Sequence, residues 1–325
     1  MHFISASTSI KLARKTCLLR TNLDINDPQK NSVRIEKALP TIQFLLKHGA
    51  QPIIIGHRGR PKKPDPSLSV KPIIDILSEK VGEPLRWLEN LRFDPREQKN
   101  DDGFARELAS RADFYVNDDF ATSHHSGALL VAITTVLPSY AGLLIEEELR
   151  QLSRVRDRAD KPLVVIIGGI KIEDKLGVIN YLKTKVDYFL LGSAYGALRE
   201  TLPKDATILI PKDGKGAGED RLDIGPETTK EYSEIIARAK TIIWSGPLGN
   251  IENPAYADGS ETIARAIAAS GAFSVVGGGD TLEFLTDRGL ITKFSFVSTG
   301  GGAMLEFLAG EKLPALEALD KCPLV

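Results

Sequence analysis

Three short apolar runs in the second half of this chain each lead into glycines and then a helix-like stretch. Val164-Val165-Ile166-Ile167 leads into Gly168-Gly169-Ile170-Lys171-Ile172-Glu173-Asp174-Lys175. Phe273-Ser274-Val275-Val276 leads into Gly277-Gly278-Gly279-Asp280-Thr281, and Phe296-Val297-Ser298-Thr299 leads into Gly300-Gly301-Gly302-Ala303. Each pattern predicts a buried strand, a tight turn and a helix start. Glycine lets the backbone come close to a ligand, and a helix N-terminus presents free N–H groups. That chemistry suits phosphate. Lys171, Lys175 and Asp280 add counter-charge and a candidate magnesium ligand.

The first half has no such clusters, and arginine and histidine take their place. Arg34 opens a helix after a polar turn. Gly56-His57-Arg58-Gly59-Arg60-Pro61-Lys62-Lys63 follows an apolar run, and Glu89-Asn90-Leu91-Arg92-Phe93 supplies another arginine. Asn117-Asp118-Asp119-Phe120 leads into His124-His125. Taken alone, Arg58–Lys63 reads as a solvated basic face and His124-His125 as a structural pair. Recurrence of basic groups at one end of the predicted sheet favours an anionic ligand, because the guanidinium fork matches carboxylate and phosphate.

The elements that must position these residues alternate along the chain. Strands are predicted at Thr16–Arg20, Pro52–Gly56, Phe114–Asn117, Leu163–Ile167, Tyr188–Leu191, Thr207–Ile210, Thr241–Trp244, Phe273–Val276 and Lys293–Val297. Helical patterns such as Arg34–His48, Ser69–Val81, Gly103–Ala112 and Thr228–Ala239 separate them. This rhythm predicts an α/β protein of doubly wound parallel sheets, which bind ligands at the carboxyl ends of their strands. At 325 residues, two domains are expected, 1–149 and 150–325, divided near the charge-dense helix Glu146–Asp160. The final residues are candidates for packing back on the first domain.

Composition narrows the function. A net charge of -1 argues against a nucleic-acid binder. Two cysteines, Cys17 and Cys322, build no metal or disulfide framework. No apolar run approaches the roughly 20 residues of a membrane span, and the start lacks a signal-peptide layout. A cytoplasmic enzyme is the expected class. Asp213-Gly214-Lys215-Gly216-Ala217-Gly218 lacks the Gly-Lys-Ser/Thr ending of a P-loop and reads as a flexible loop at a deletion point. No strand is followed by the Gly-x-Gly-x-x-Gly fingerprint of a dehydrogenase.

Eight ordered segments resemble the phosphoglycerate kinase family along nearly the whole chain. They are Gly56–Pro61, Leu88–Phe93, Tyr115–Phe120, Gly168–Lys175, Leu222–Pro226, Trp244–Gly249 with Glu252, Gly277–Thr281 and Val297–Ala303. The resemblance implies two Rossmann-like domains joined by a helix and a hinge that closes over the substrates. It implies a monomeric, cytoplasmic enzyme of glycolysis and gluconeogenesis. The N-terminal domain would bind 3-phosphoglycerate and the C-terminal domain ATP or ADP, with Mg2+. By the same resemblance His57, Arg60 and Arg92 hold the substrate phosphate, with Gly59 in the same loop. Arg34 meets the substrate carboxylate and the phosphoryl group in flight. Lys171 and Lys175 face the nucleotide phosphates. Glu252 binds the ribose, Gly278 and Gly279 approach the nucleotide, Asp280 takes magnesium and Thr281 a phosphate. Gly300, Gly301 and Gly302 form a phosphate nest.

The departures fall mostly on the acceptor side. The family's loop after the first strand reads Arg-x-Asp-x-Asn, whereas Asn22 and Asp24 exchange the two polar residues here. His125 replaces a substrate arginine, Gly127 a histidine and Ser245 an asparagine. Chain is also missing before Trp87 and between Leu202 and Asp223. Weak 3-phosphoglycerate binding is therefore expected, with KM falling from pH 7.5 to 6 as His125 gains its proton. A kinase for a different small carboxylic acid and a non-catalytic nucleotide-binding relative remain alternatives.

Overall fold

The computed structural model describes residues 1–6, 12–28, 32–169, 173–198, 207–216 and 222–322, with the backbone alone at 173–176 and 197–198. The chain divides into two compact units, Met1–Arg150 with Lys312–Val325, and Gln151–Glu311.

In the first unit, β1 (Thr16–Arg20), β2 (Gln51–Ile55), β3 (Arg86–Trp87), β4 (Phe114–Asn117) and β5 (Ser139–Ala141) form a parallel sheet. Their order is β3-β2-β1-β4-β5. Side chains alternate between its faces. Cys17 and Leu19 share one core with Ile54 and Val116. Against them pack Ile35, Ala38, Ile42 and Leu45 of α1 (Val33–Lys47) and Ile73, Ile74 and Leu77 of α2 (Lys71–Val81). Leu18, Ile53, Ile55 and Tyr115 form the opposite core. After α3 (Pro95–Gln98), α4 (Asp102–Ala109) brings Phe104 and Leu108 to it. Burial on both faces accounts for the near-continuous apolar runs. Ser32 caps α1 by accepting the Arg34 N–H at 3.3 Å, which sets Arg34 in the first turn.

The division between the units falls inside α5 (Leu143–Arg158). In the second unit, β6 (Leu163–Ile167) is followed by α6 (Glu173–Leu182), β7 (Tyr188–Leu191) and β8 (Ile208–Leu209). A two-stranded antiparallel hairpin, β9 (Gly214–Lys215) and β10 (Asp223–Ile224), precedes α7 (Pro226–Ile236). Then come β11 (Thr241–Ser245), α8 (Asp258–Ser270), β12 (Phe273–Gly277), α9 (Gly279–Asp287), β13 (Phe296–Val297) and α10 (Gly302–Ala309). The main sheet is parallel, in the order β13-β12-β11-β6-β7-β8. Last, α11 (Pro314–Lys321) belongs to the first unit, where the Ala315 N–H donates to Ser123 O at 3.1 Å.

Both sheets reverse their strand order once, between β1 and β4 and between β6 and β11. Such reversals open a crevice outside the carboxyl ends of the strands. Three local expectations are corrected. Strand at Lys293–Val297 is confined to Phe296–Val297, because Ile291–Lys293 closes a 3-10 turn. The short β3 and β5 were not foreseen. The glycine run after Asp213 starts as a paired strand rather than a loose loop. Asp213 itself caps α7 from outside, accepting the N–H groups of Glu227 at 2.9 Å and Thr228 at 2.8 Å. Residues 217 and 218 of that run lie outside the described residues.

Candidate active site

At the reversal of the first sheet, β1 and β4 end side by side with Arg20 opposite Asn117. Arg20 is fully buried. Its Nη2 donates to Thr122 Oγ1 at 3.1 Å and lies 3.3 Å from Asp119 Oδ2. Thr122 Oγ1 in turn donates to Asp119 Oδ2 at 2.8 Å, and Asn22 Nδ2 donates to Asp119 Oδ1 at 3.0 Å. Glu97, also buried, lies 3.9 Å from Arg20 Nη1 and 2.8 Å from Arg92 Nε, the latter an ion pair without hydrogen-bond alignment. One carboxylate therefore faces two arginines. A Cβ at Gly127 would stand 3.1 Å from Glu97 O and 3.2 Å from its Oε1. Any larger residue at 127 would press on the carboxylate between the arginines.

The histidines line the same end of the sheet. Burial first, then the positive fields of Arg20 and Arg92, pulls the His57 imidazole down to about 4. His57 is thus neutral at physiological pH and offers one N–H donor. The rings of His124 and His125 lie 3.8 Å apart. Burial and its neighbour lower His124 to about 4. Burial, Arg92 and Arg60 also lower His125 below its ordinary value. Asp119 goes the other way from a typical buried acid. Burial raises its pKa, but Arg20 and the bonds from Thr122 and Asn22 outweigh that and hold it ionised. Asp118 next to it points to the start of α5, where the Leu144 N–H donates to Oδ1 at 2.9 Å, and burial raises it to about 7.

The loop after β2 closes the site. Asp24 Oδ1 accepts the Gly59 N–H at 2.8 Å, and Gly59 has φ +66°, where a side chain is strained. Arg34 Nη1 donates to Asp24 O. Arg58 is consumed structurally, its guanidinium donating to the carbonyls of Ile25, Asn26, Ser67 and Ser69. Arg60 is exposed and makes no hydrogen bond or ion pair among the described residues. The structure thus brings Asn22, Asp24, Arg34, His57, Gly59, Arg60, Arg92 and His125 to one sheet end. Asp119, Glu97 and Thr122 join them without having been singled out as site residues.

The strand-end turns of the second unit interlock. The Gly168 N–H donates to Ser245 O at 3.0 Å, and the Gly169 N–H to Pro247 O at 2.8 Å. The Gly246 N–H donates to Thr281 Oγ1 at 3.1 Å, so that hydroxyl keeps its own proton for another acceptor. A Cβ at Gly277 would stand 2.6 Å from Gly300 O, and one at Gly301 2.9 Å from Gly278 Cα. These glycines are demanded by each other's backbones. Gly278 has room for a Cβ but has φ +102°, and Gly279 begins α9. Asp280 is exposed in the first turn of α9, and Glu252 is exposed in the turn after β11. Lys175 stands in the first turn of α6 with its side chain outside the description, and Lys171 lies outside the described residues altogether.

A buried basic cluster on one doubly wound unit and interlocked glycine turns on another define a phosphotransferase built on two such units. The phosphoglycerate kinase family model matches residues 7–88, 85–206 and 197–311. The chain is 37% identical to the phosphoglycerate kinase of Rubrobacter xylanophilus, with 95% of this chain and 96% of that one covered. It is 36% identical to that of Herpetosiphon aurantiacus, with coverage of 94% and 96%. Among solved structures it resembles the phosphoglycerate kinase of Pyrococcus horikoshii, with a TM-score of 0.86 and 29% identity over 98% of both chains. It also resembles that of Coxiella burnetii, with a TM-score of 0.76 and 30% identity over 97% and 98%. The chain belongs to the phosphoglycerate kinase family. The Rubrobacter alignment spans 380 positions, more than the 325 residues of this chain, so its relative carries segments that are absent here. No helix among the described residues is long and apolar enough to cross a membrane.

Proposed function

We propose that this chain catalyses reversible phosphoryl transfer between ATP and the carboxylate of 3-phosphoglycerate, acting as a cytoplasmic monomer. The observation that supports it is the buried cluster of Arg20, Arg92, His57 and Asp119 at the reversal of the first sheet, with interlocked glycine turns at the reversal of the second. In this reading the first unit binds the phosphoglycerate. His57, Arg60 and Arg92, with the backbone of Gly59, hold its phosphate, and Arg34 meets its carboxylate. The second unit binds the nucleotide. Gly278, Gly279, Thr281, Gly300 and Gly301 face its phosphates, Lys171 and Lys175 neutralise them, and Glu252 meets the ribose. The acceptor carboxylate is ionised at neutral pH, since such groups titrate near 4, so no general base is required. Rate then comes from positioning and charge neutralisation. With donor and acceptor on separate units, hinge closure is needed to join them and exclude water.

Magnesium fits this chain through Asp280. Among the described residues no group of three or more acids, histidines or cysteines is poised to hold a metal alone. Magnesium is commonly held by one or two carboxylates together with substrate phosphates. An exposed carboxylate at the start of α9, beside the Gly278 turn, supplies that single ligand. When bound, the ion would neutralise charge on the nucleotide phosphates. Asp280→Asn removes a charge without touching the N-cap of α9, which is Gly278. Its magnesium-nucleotide affinity and its activity should both fall, by titration calorimetry and turnover. Retention of both would leave Asp280 an exposed first-turn acid with no metal role.

The lowered pKa of His125 revises the pH expectation. A lowered value moves the ring's protonation to lower pH, so its charge contributes less between pH 7.5 and 6 than that of an ordinary imidazole. The fall in KM for 3-phosphoglycerate across that window should therefore be shallower than an unperturbed histidine would give, and His125→Gln should remove what is left of it. His125→Arg should lower KM by roughly tenfold, because a hydrogen bond to a charged group contributes about 1.5–3 kcal/mol. An unchanged KM in His125→Arg would remove the residue from the site. The activity itself is tested by a coupled assay with ATP, magnesium and a panel of small carboxylic acids. 3-Phosphoglycerate should be preferred by kcat/KM, and preference for another acid would overturn the reading.

A further inference from the structure

The exchanged polar residues of the loop after β1 have a partner on β4's side of the crevice. Asn22 is buried, and both ends of its carboxamide are engaged. Its Nδ2 donates to Asp119 Oδ1 at 3.0 Å, and its Oδ1 accepts the Asp24 N–H at 3.1 Å. An aspartate at 22 would set two buried carboxylates against each other at hydrogen-bond distance, and one would have to take up a proton. Asp119 is fully buried, faces Arg20 at 3.3 Å, and receives Thr122 at 2.8 Å. The negative charge that the family loop carries at its first polar position is thus present here, displaced across the crevice. Asp24 stays compatible with the exchange because its Oδ1 accepts from the Gly59 N–H, a role that the oxygen of an asparagine also fills.

We infer that Asp119 is a positioning residue of the acceptor site, replacing the loop carboxylate and fixing Arg20 and Asn22 for the anionic substrate. Arg20 keeps Nε and Nη1 without hydrogen-bond partners although both are buried. Unpartnered buried N–H groups of a guanidinium are costly, and an incoming anion or its bound water satisfies them. Asp119 determines which face of the guanidinium is spent on the protein and which is left. Asn22 and Asp119 then form one unit, and neither tolerates change alone. The inference rests on 3-phosphoglycerate as the acceptor.

A charge-swap cycle tests it. Asp119→Asn leaves Arg20 with Glu97, shared with Arg92, as its one carboxylate among the described residues, beside the Thr122 hydroxyl. Asn22→Asp places a second carboxylate beside the first. Each single variant should raise the KM for 3-phosphoglycerate at least tenfold, with the KM for the nucleotide within about twofold of the parent. The double variant Asn22→Asp/Asp119→Asn should recover most of that loss. A double variant as impaired as the worse single one, or single variants with unchanged KM, would overturn the inference while the parent still turns over 3-phosphoglycerate. A parent with no such turnover would overturn the reading on which it rests as well. Should either single variant fail to fold, Thr122→Val serves. It keeps the side-chain volume while removing the hydroxyl that bridges Asp119 and Arg20. Its KM for 3-phosphoglycerate should rise several-fold with the nucleotide KM unchanged, and no change would equally overturn the inference.

Discussion

Arg34→Ala and Lys175→Ala should each lower kcat by roughly a hundredfold or more, the scale for losing one electrostatic stabiliser of a transition state. With an ionised carboxylate as nucleophile, rate in this enzyme depends on how well charge is neutralised while the phosphoryl group is between oxygens. Arg34 is set in the first turn of α1 by the Ser32 cap and held at the sheet end by its bond to Asp24 O. Lys175 occupies the equivalent first turn of α6, after the Gly168-Gly169 turn. The two variants should separate in KM. Arg34→Ala should leave the ATP value within about threefold, because Arg34 stands on the unit proposed to bind the acceptor, whereas Lys175→Ala should raise it. Steady-state kinetics at saturating 3-phosphoglycerate reads both. Turnover within a factor of two of the parent in both variants would contradict the proposed roles.

Gly168→Ala should be similarly damaging for a different reason. The added Cβ would stand 2.6 Å from Gly246 O and closer still to Pro247 O. Those atoms are backbone, so no side-chain rotation relieves the contact. The same turn donates from Gly168 N to Ser245 O and from Gly169 N to Pro247 O, stitching β6 to β11 where the strand order reverses. Forcing the turns apart should cost about 1–3 kcal/mol of stability, the usual scale of overpacking. It should also displace the phosphate seat by a fraction of an ångström or more. Misplacement by about 1 Å is enough for a hundredfold loss. Chemical denaturation and nucleotide kinetics should therefore both change, with kcat/KM for ATP falling about a hundredfold. A variant with parental stability and kinetics would show that the turns yield easily.

Much of the frame is written in local pattern. Thr16–Arg20, Phe114–Asn117, Leu163–Ile167 and Tyr188–Leu191 are strands with the bounds their apolar runs predict. Burial on both faces makes such runs unmistakable. Arg86–Trp87 and Ser139–Ala141 are too short to show a period and exist because neighbouring strands hold them. The acceptor cluster was only half legible for a related reason. Arginines and histidines stand out as residue types, but Glu97 and Thr122 acquire meaning only once β1 and β4 lie side by side. Arg58 and Arg60 look alike in sequence. Four backbone carbonyls absorb the first and leave the second exposed. The glycine clusters were read as places for a ligand. At Gly168, Gly277 and Gly301 the immediate requirement is the close approach of other backbone segments, which shapes the turns that a phosphate would meet.

The most direct measurement is chemical trapping of the product. Transfer to a carboxylate makes an acyl phosphate, which hydroxylamine converts to a stable hydroxamate. Incubated with ATP, magnesium and 3-phosphoglycerate, the protein should form hydroxamate in step with ADP. Omitting any one of the three should abolish it, and Arg34→Ala should slow it by the factor seen in kcat. ADP release without hydroxamate, or no ADP at all with folded protein and saturating substrates, would contradict phosphoryl transfer to the carboxylate of 3-phosphoglycerate.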